Sequence, residues 1–516
     1  MPTPTRDLTH RTLSGLLWTA WGTGAQAVIQ LVVLVVLARL LAPAEFGVVS
    51  AALVVINFSR ILYQFGLGPA LVQRPVIEAR HVGTAVTASA AFAALLGAAL
   101  WLLAPLAARA MRIPDAGPVL RALAWMFPLL GLGLVPDSLL QRELRFRWLA
   151  NLDVAAFGVG YGAVGVTAAA LGFGVWSLVA AHLGQSLVRT AVLLAARPPG
   201  RPSFDRRSFD ELMYIGGGHT LARVANFCAH QGDNVVVGRW LGAEALGLYG
   251  RAYQLMATPA TLLAGVLDKV LFPVMARMQG DAGRLAAMYT RGVALIAMLV
   301  LPASALLLVL APELVRLALG PRWDAAVVPF QLFAAGMLFR TSEKMSDSLA
   351  RAVGAVYRRA WRQALYAALV VGGAWAGTPW GTTGAAIGVL AALGVNFFVM
   401  AHLSLDVAGL TWRRFAGAHV PPLLLSALIG AVAAAAAAWA RARGLGAAAT
   451  VGGAVAAAVA LALPLAWALP RVLVGAEGLW MLEVLRAQLA AARQRRHAGA
   501  APAATAATIA AQGPRQ

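Results

Sequence analysis

Long apolar runs recur along the whole chain and are separated by short polar turns. Most of them reach the roughly 20 residues that an α-helix needs to cross the hydrocarbon core of a bilayer. They lack the short alternating pattern of outer-membrane barrel strands. The pattern predicts fourteen membrane spans, at about 13–38, 46–72, 82–108, 119–140, 149–171, 174–196, 211–237, 245–272, 286–311, 325–350, 357–378, 382–405, 418–440 and 446–470.

Composition agrees with this pattern. Of the 516 residues, 60% are of the AVILMFWYC group and 12% are charged, and the mean hydropathy is +0.74. Soluble domains carry about 25% charged residues, so a soluble enzyme, a secreted protein and a disordered protein are excluded. The first apolar run is of full helix length and has no cleavage site behind it, so we predict no cleavable signal peptide. The single cysteine, Cys228, allows no intrachain disulfide.

The distribution of charge predicts an orientation. A net charge of +21 could indicate a nucleic-acid partner, but the basic residues concentrate in alternate loops, as the positive-inside rule requires. We therefore predict no nucleic-acid partner, a multi-pass membrane protein, and both termini in the cytoplasm. The outer loops hold few basic residues, and we assign Arg39, Arg239 and Arg251 to them.

The two halves of the chain resemble each other. Residues 38–47 align with residues 238–247 at an offset of 200, each joining the first and second helices of a half. A weaker match aligns 140–142 with 349–351. Six helices per half give a parallel repeat about an axis along the membrane normal, an arrangement used by transporters that rock two lobes around a central site.

These observations predict an all-α polytopic fold with two six-helix lobes and two further helices. The predicted parts are a cytoplasmic N-terminus (1–12), an N-lobe of helices 1–6 (13–196), a cytoplasmic linker (197–210), a C-lobe of helices 7–12 (211–405), extra helices 13–14 (418–470), a basic amphipathic surface helix (477–497) and a disordered tail (498–516).

Five segments resemble the polysaccharide transporter family of the multidrug/oligosaccharidyl-lipid/polysaccharide (MOP) exporter superfamily. They are residues 37–47, 65–74, 241–249, 270–274, and 311–315 with 319–323. The resemblance covers roughly residues 10–405. It implies two six-helix lobes plus two extra helices. It also implies a flippase of the bacterial inner membrane that moves undecaprenyl-diphosphate-linked oligosaccharide in lipopolysaccharide or exopolysaccharide synthesis. Its expected partners are that substrate, membrane lipids and a polysaccharide polymerase, and a monomer is the default state.

Polar and charged side chains inside predicted spans are the candidate site, because a charge in a bilayer is costly and usually faces a cavity or a partner. Several basic residues among them suit a diphosphate, for which the planar fork of arginine is the best donor. The predicted substrate-binding residues are Asn57, Arg60, Arg223, Asn226, His230, Asp268, Lys269, Arg340 and Lys344, and the predicted ion-coupling residues are Asp233 and Asn234.

Structural roles are the alternative for several of these charges. The group that runs from Arg340 to Asp347 could form an intrahelical ion-pair ladder, and Lys269 could snorkel to the membrane surface. We interpret Arg189 as snorkelling as well, and Asp153 as interfacial.

We find no nucleotide-binding or zinc-binding motif, and we predict no catalytic residue, metal or cofactor. Two alternatives to the flippase stay open. One is a small-molecule or drug antiporter of the same superfamily, with Asp233 as a proton or sodium site. The other is a membrane-embedded polysaccharide polymerase or ligase, although the outer loops are short for such an enzyme.

Overall fold

The computed structural model describes residues 27–64, 66–217, 220–278 and 280–479, which are helical and contain no β-strand. Ten helices in this part of the chain are long and apolar enough to cross a membrane. The all-α, multi-pass fold is therefore confirmed, whereas the number of fourteen spans stays a prediction. The predicted N-terminus, the tail and all but residues 477–479 of the predicted surface helix lie outside the described residues.

Nine helices form the N-terminal half. A π-helical segment, Gly158–Gly165, joins α7 to α8. The helices are α1 (Ala27–Leu40), α2 (Pro43–Gln64), α3 (Leu67–Gln73), α4 (Ala79–Met111), α5 (Ala116–Leu123), α6 (Met126–Arg142), α7 (Phe146–Phe157), α8 (Val166–Ala170) and α9 (Val175–Ala196).

The linker and the C-terminal part continue with α10 (Arg206–Gly217), α11 (Thr220–Arg277), α12 (Ala282–Val309), α13 (Ala311–Ala318), α14 (Val327–Ala335), α15 (Met337–Ala352), α16 (Val356–Gly377), α17 (Gly381–Ala408), α18 (Trp412–Ala442), α19 (Ala447–Ala468) and α20 (Pro470–Leu473). We call α11–α17 the C-terminal half. Short 3₁₀ segments, Pro321–Ala326 and Thr378–Trp380, precede α14 and α17.

Helix α11 is two helices that meet at a break. Gly242 has φ 88° and ψ −176°, a conformation that glycine adopts without strain. We call residues 220–241 and 243–277 the first and second parts of α11. They match the predicted seventh and eighth spans in order.

Helices α18 and α19 pack beside the C-terminal half, against α12 and α13. Arg441 on α18 holds Glu313 on α13 with a bidentate ion pair, at 2.7 and 2.9 Å. The two extra helices predicted at the end of the chain therefore have a specific attachment to the helices before them.

Two arginines at matching positions of the predicted repeat each donate a hydrogen bond to the opposite half at one end of the molecule. Arg39 donates a hydrogen bond to the carbonyl of Leu317, at 2.6 Å, and Arg239 donates one to the carbonyl of Ala110. Both donors come from the predicted repeat, while the acceptors lie near the ends of two different kinds of helix, the short α13 and the long α4. The buried indole of Trp323 adds a hydrogen bond to the carbonyl of Ala38, at 2.9 Å. We call this end of the molecule the closed end.

Candidate functional site

A cavity of about 250 Å³ lies between α1, α2, the π-helical segment, α9 and the second part of α11. Arg251 reaches into it from the C-terminal half. Its guanidinium lies 4.8 Å from the centre of the Phe46 ring and donates to Gln254, while its buried Nε has no hydrogen-bond partner. No carboxylate among the described residues acts on this charge.

The assignment of Arg251 to an outer loop is wrong. The second part of α11 begins directly after the break at Gly242, so Arg251 is already two turns inside the helix. An arginine in such a place, without a carboxylate partner, retains donors for an anionic group.

Tyr161 and His182 form the polar wall of the same cavity. His182 Nδ1 lies 2.8 Å from the carbonyl of Leu178, and because a carbonyl only accepts, Nδ1 carries the proton. Nε2 lies 2.6 Å from the Tyr161 hydroxyl, which can donate to it when the imidazole is neutral. With the neutral imidazole, Arg251 is the positive charge among the residues that line this cavity.

Arg60 is an exposed side chain on α2, and Asn57, one turn earlier, is half-buried. Arg60 and Arg251 lie on different helices. Both are near enough to His182 for their positive charges to act on its imidazole. Among the described residues, Arg60 has Arg189 and Tyr63 as electrostatic neighbours and no carboxylate. Phe58 and Phe227 meet nearby, with ring centres 5.5 Å apart, and bring α2 against the first part of α11.

Arg189 has a different role from the one interpreted from the sequence. It pairs with Asp153 on α7 at 2.8 Å and with Asp137 on α6 at 3.2 Å. Arg189 therefore ties three helices together, a role that the snorkelling interpretation did not include, and Asp153 is one of its two partners. Both carboxylates lie too far from Arg189 in sequence for spacing to reveal the pairing.

A second polar group lies in the C-terminal half. Asp233 is 6% exposed and accepts hydrogen bonds from the Tyr249 hydroxyl, at 2.8 Å, and from the Asn234 amide, at 2.9 Å. The Asn234 side chain donates to Gln231 at 2.9 Å. These contacts hold the carboxylate of Asp233 in a fixed, largely dehydrated position, which suits a group that exchanges a proton or a small cation.

Basic residues surround this second group. The guanidinium of Arg340 lies 4.8 Å from the centre of the Tyr253 ring. The charges of Arg340 and Lys344 both act on His230, whose Nδ1 donates to the carbonyl of Asn226 at 2.9 Å. Asn226 is exposed, and the other members of the group are at least half-buried.

The proposed ladder on the tenth predicted helix is joined to neighbours outside it. Asp347 pairs with Arg351 at 3.1 Å and with Arg359 on α16. Glu343 is buried and hydrogen-bonds to Asn396 on α17. Interhelical contacts thus occupy both acids of the group.

The predicted site residues fall into two groups. Asn57 and Arg60 lie in the N-terminal half, whereas Asn226, His230, Asp233, Asn234, Arg340 and Lys344 lie in the C-terminal half. The side chains of Arg223, Asp268 and Lys269 lie outside the described part of the structure. Arg251 and His182 line the cavity but are not among the predicted site residues. Their polar character within a largely apolar segment was the signal that could have identified them.

Comparison with known proteins gives one family and several relatives. Residues 36–328 match the family described as polysaccharide biosynthesis protein. The chain is 26% identical over 445 residues to the lipopolysaccharide biosynthesis protein WzxC of Escherichia coli, covering 83% of this chain and 89% of WzxC. It is 33% identical over 250 residues to the succinoglycan biosynthesis transport protein ExoT of Rhizobium meliloti, covering 48% of this chain and 50% of ExoT.

Among solved structures, the fold resembles the lipid II flippase MurJ in an inward closed conformation. The TM-score is 0.69 at 12% identity, over 80% of this chain and 92% of that protein. At this identity the likeness concerns the fold, and it agrees with the bundle of long apolar helices described above.

Proposed function

Because the chain belongs to the polysaccharide biosynthesis protein family, we propose that it is a flippase for undecaprenyl-diphosphate-linked oligosaccharide. The substrate would move from the cytoplasmic to the periplasmic leaflet of the bacterial inner membrane. The names of its relatives concern lipopolysaccharide, succinoglycan transport and lipid II flipping, which supports this substrate class.

Arg251 is the observation that carries the proposal. A diphosphate needs charge-assisted hydrogen bonds, and an arginine that faces a cavity without a carboxylate partner can supply them. Arg60 lies in the same electrostatic neighbourhood and would extend the site along α2. The lipid tail would stay in the bilayer while the headgroup enters between the halves.

Arg251 also argues against a carrier of cationic drugs. A cation that enters the cavity would meet Arg251 at short range, and like charges in a place of low dielectric constant repel strongly. A phosphorylated substrate gains from the same charge. The antiporter alternative is therefore the weaker one for this chain.

We propose alternating access as the mechanism. By the positive-inside rule the closed end would face the periplasm, with both termini in the cytoplasm. The exchanged contacts of Arg39 and Arg239 would then keep the outer side shut while the headgroup binds. Their release would open the outer side, and the lobes predicted at 13–196 and 211–405 would move as the two rocking bodies.

The C-terminal group supplies the remaining parts of this proposal. Arg340, Lys344, His230 and Asn226 would contact the headgroup, together with Arg223, Asp268, Lys269 and Asn57 from the sequence prediction. Asp233 and Asn234 would bind the coupling ion. A monomer would be the working unit, with a polysaccharide polymerase as a downstream partner.

The test is export of surface polysaccharide in cells that depend on this chain. Arg251→Gln should reduce export about 10- to 100-fold, since a hydrogen bond to a charged group contributes about 1.5–3 kcal/mol. Lipid-linked precursor should accumulate at the same time, and Arg251→Lys should retain part of the activity. Arg443→Gln, which removes an exposed charge at the end of α18, is the matched control and should export normally.

The outcome decides between the alternatives. Normal export by a membrane-inserted Arg251→Gln variant would remove Arg251 from the site. A variant that changes drug resistance and leaves precursor levels untouched would favour the antiporter.

A further inference from the structure

A second cleft, of about 880 Å³, lies outside the proposed transport site. Its walls are the turn from α3 to α4 with the first residues of α4, the last residues of α6, and the linker from Arg197 to Ser203. It therefore sits where two candidate membrane spans end, at one boundary of the membrane.

The cleft carries a positive charge. Four arginines, Arg80, Arg142, Arg197 and Arg201, line it with two acids, Glu78 and Glu143. Arg80 pairs with Glu78 at 2.8 Å, and Arg197 pairs with Glu143 at 3.1 Å. These pairs are exposed, so their arginines keep donors free for a further anion.

The other two arginines have no carboxylate partner among the described residues. Arg142 donates to main-chain carbonyls at the end of α3, including those of Val72 at 3.2 Å and Pro75 at 2.8 Å. Arg201 is exposed at the mouth of the cleft. The cleft thus has two positive charges more than its acids balance.

The linker wall is fixed before any ligand arrives. The Ser203 amide donates to the carbonyl of Gly83 at 3.3 Å, Thr87 donates to the carbonyl of Ser203 at 2.8 Å, and the Asp205 amide donates to Thr84 at 3.0 Å. A Cβ on Gly83 would lie 2.1 Å from the Ser203 hydroxyl, so the glycine permits this close approach. Such a preformed cleft loses little entropy when it binds a ligand.

Apolar side chains complete the lining. Ile77, Val82 and Leu139 are half-buried and face the same cleft as the arginines. A free phosphate ion would gain nothing from contact with these apolar side chains. A phospholipid presents an anionic phosphate beside its apolar glycerol-ester region and can contact both kinds of side chain. Basic pockets between membrane helices near the surface are the kind of site that takes an anionic lipid headgroup.

We propose that this cleft binds the headgroup of an anionic phospholipid. The bound lipid would join the linker to α4 and α6 of the N-terminal half. The site is separate from the proposed transport cavity in position and in residues.

The test uses the full chain in detergent and measures binding of dioleoyl phosphatidylglycerol by native mass spectrometry. The double variant Arg80→Gln, Arg201→Gln should bind it about 30-fold more weakly, because each basic residue near the membrane surface contributes about 1 kcal/mol. The control, Arg109→Gln with Arg112→Gln, removes equal charge at the other end of α4 and should stay within about twofold of the unmodified protein.

Two further variants distinguish a loss of charge from a loss of folding. Glu143→Gln removes the acid that pairs with Arg197 and should tighten binding about fivefold. The double variant Arg80→Lys, Arg201→Lys keeps both charges and should retain most of the affinity.

Three outcomes would overturn the proposal. Equal binding of zwitterionic phosphatidylcholine would show that the charge is not recognised. Unchanged affinity in the Arg80→Gln, Arg201→Gln variant would show that the lipid binds elsewhere. Displacement of the phosphatidylglycerol by an equimolar amount of inorganic phosphate would identify a free-anion site instead of a lipid site.

Discussion

Gly47 and Gly247 face each other where α2 crosses the second part of α11. A Cβ on Gly47 would lie 1.6 Å from the carbonyl oxygen of Ala243, and a Cβ on Gly247 would lie 1.9 Å from that of Pro43. The two glycines are 200 residues apart, and so are the two residues whose carbonyls they touch. Each half thus presents a glycine to the same backbone position of the other half.

Enlarging Gly47 should therefore prevent closure at this end. Gly47→Ala should cost about 1–3 kcal/mol of the closed state, because backbone atoms have to move apart to admit the methyl group. Gly250→Ala is the matched control, since its Cβ would meet nothing nearer than the Ser50 hydroxyl at 4.0 Å.

Closure can be followed with a cysteine at Val33, in the cavity behind the contact, in a Cys228→Ser background. A membrane-impermeant maleimide applied to the closed end should label it faster in Gly47→Ala than in Gly250→Ala. Equal labelling rates in the two variants would contradict a role of the glycine contact in closure.

Replacing Arg189 should lower the stability of the fold, whereas replacing Arg60 should reduce export. Arg189→Gln leaves Asp137 and Asp153 without their shared cation and should lower the free energy of unfolding by about 1–3 kcal/mol, the partial exposure of the three groups limiting the loss. Arg60→Gln should leave thermal stability unchanged and reduce export. Thermal unfolding in detergent and an export assay on the same pair check this, and a reversed order would contradict the assigned roles.

Glycines on α16 and α17 provide a test of helix packing away from the site. A Cβ on Gly388 would lie 2.0 Å from the carbonyl oxygen of Gly373. Gly388→Ala should therefore lower the melting temperature, because overpacking reduces the free energy of unfolding by about 1–3 kcal/mol. Gly372→Ala is the control, because nothing lies within 4 Å of its Cβ. It should raise stability slightly, as alanine does in a helix.

Attachment of the linker helix α10 should depend on pH. Arg74 hydrogen-bonds to Glu211 at 2.6 Å and holds the pKa of that carboxyl below its ordinary value of 4.5, with a smaller contribution from His81. A lowered pKa in the folded state means that the stabilisation is present above pH 4.5 and is lost as the pH falls through the shifted pKa.

A nitroxide label at exposed position 210, in a Cys228→Ser background, reports this attachment. Its mobility should rise as the pH falls below 4.5, and Glu211→Gln should be mobile at every pH. Arg207→Gln removes only an exposed pair within α10 and should keep the pH dependence. A dependence that survives Glu211→Gln would contradict the assignment.

The fold was largely predictable because lipid imposes a strong constraint on sequence. Long apolar segments have few alternatives to a helix, and the match between 38–47 and 238–247 predicted the elements that exchange contacts. Helix α9 ends at Ala196, directly before the Pro-rich segment, since proline interrupts helices.

The candidate site was less predictable because its partners come from distant parts of the chain. Arg189 meets Asp137 and Asp153 through tertiary packing, which spacing along one helix cannot reveal. Arg251 lies close to a predicted loop, and only the break at Gly242 determines where the helix begins. Asp233 was predicted as polar and internal, but its hydroxyl partner, Tyr249, comes from beyond that break.

The exchanged contacts of Gly47 and Gly247, each against the same backbone position of the opposite half, bear on how such a chain could arise. Contacts in which position i of one unit meets j of another, and j meets i, are those of a symmetric homodimer. Each half therefore carries a surface that complements its own counterpart, as an ancestral protein of half the length joined to its twin would require. Gene duplication and fusion would then preserve, inside one polypeptide, an association that began between separate subunits.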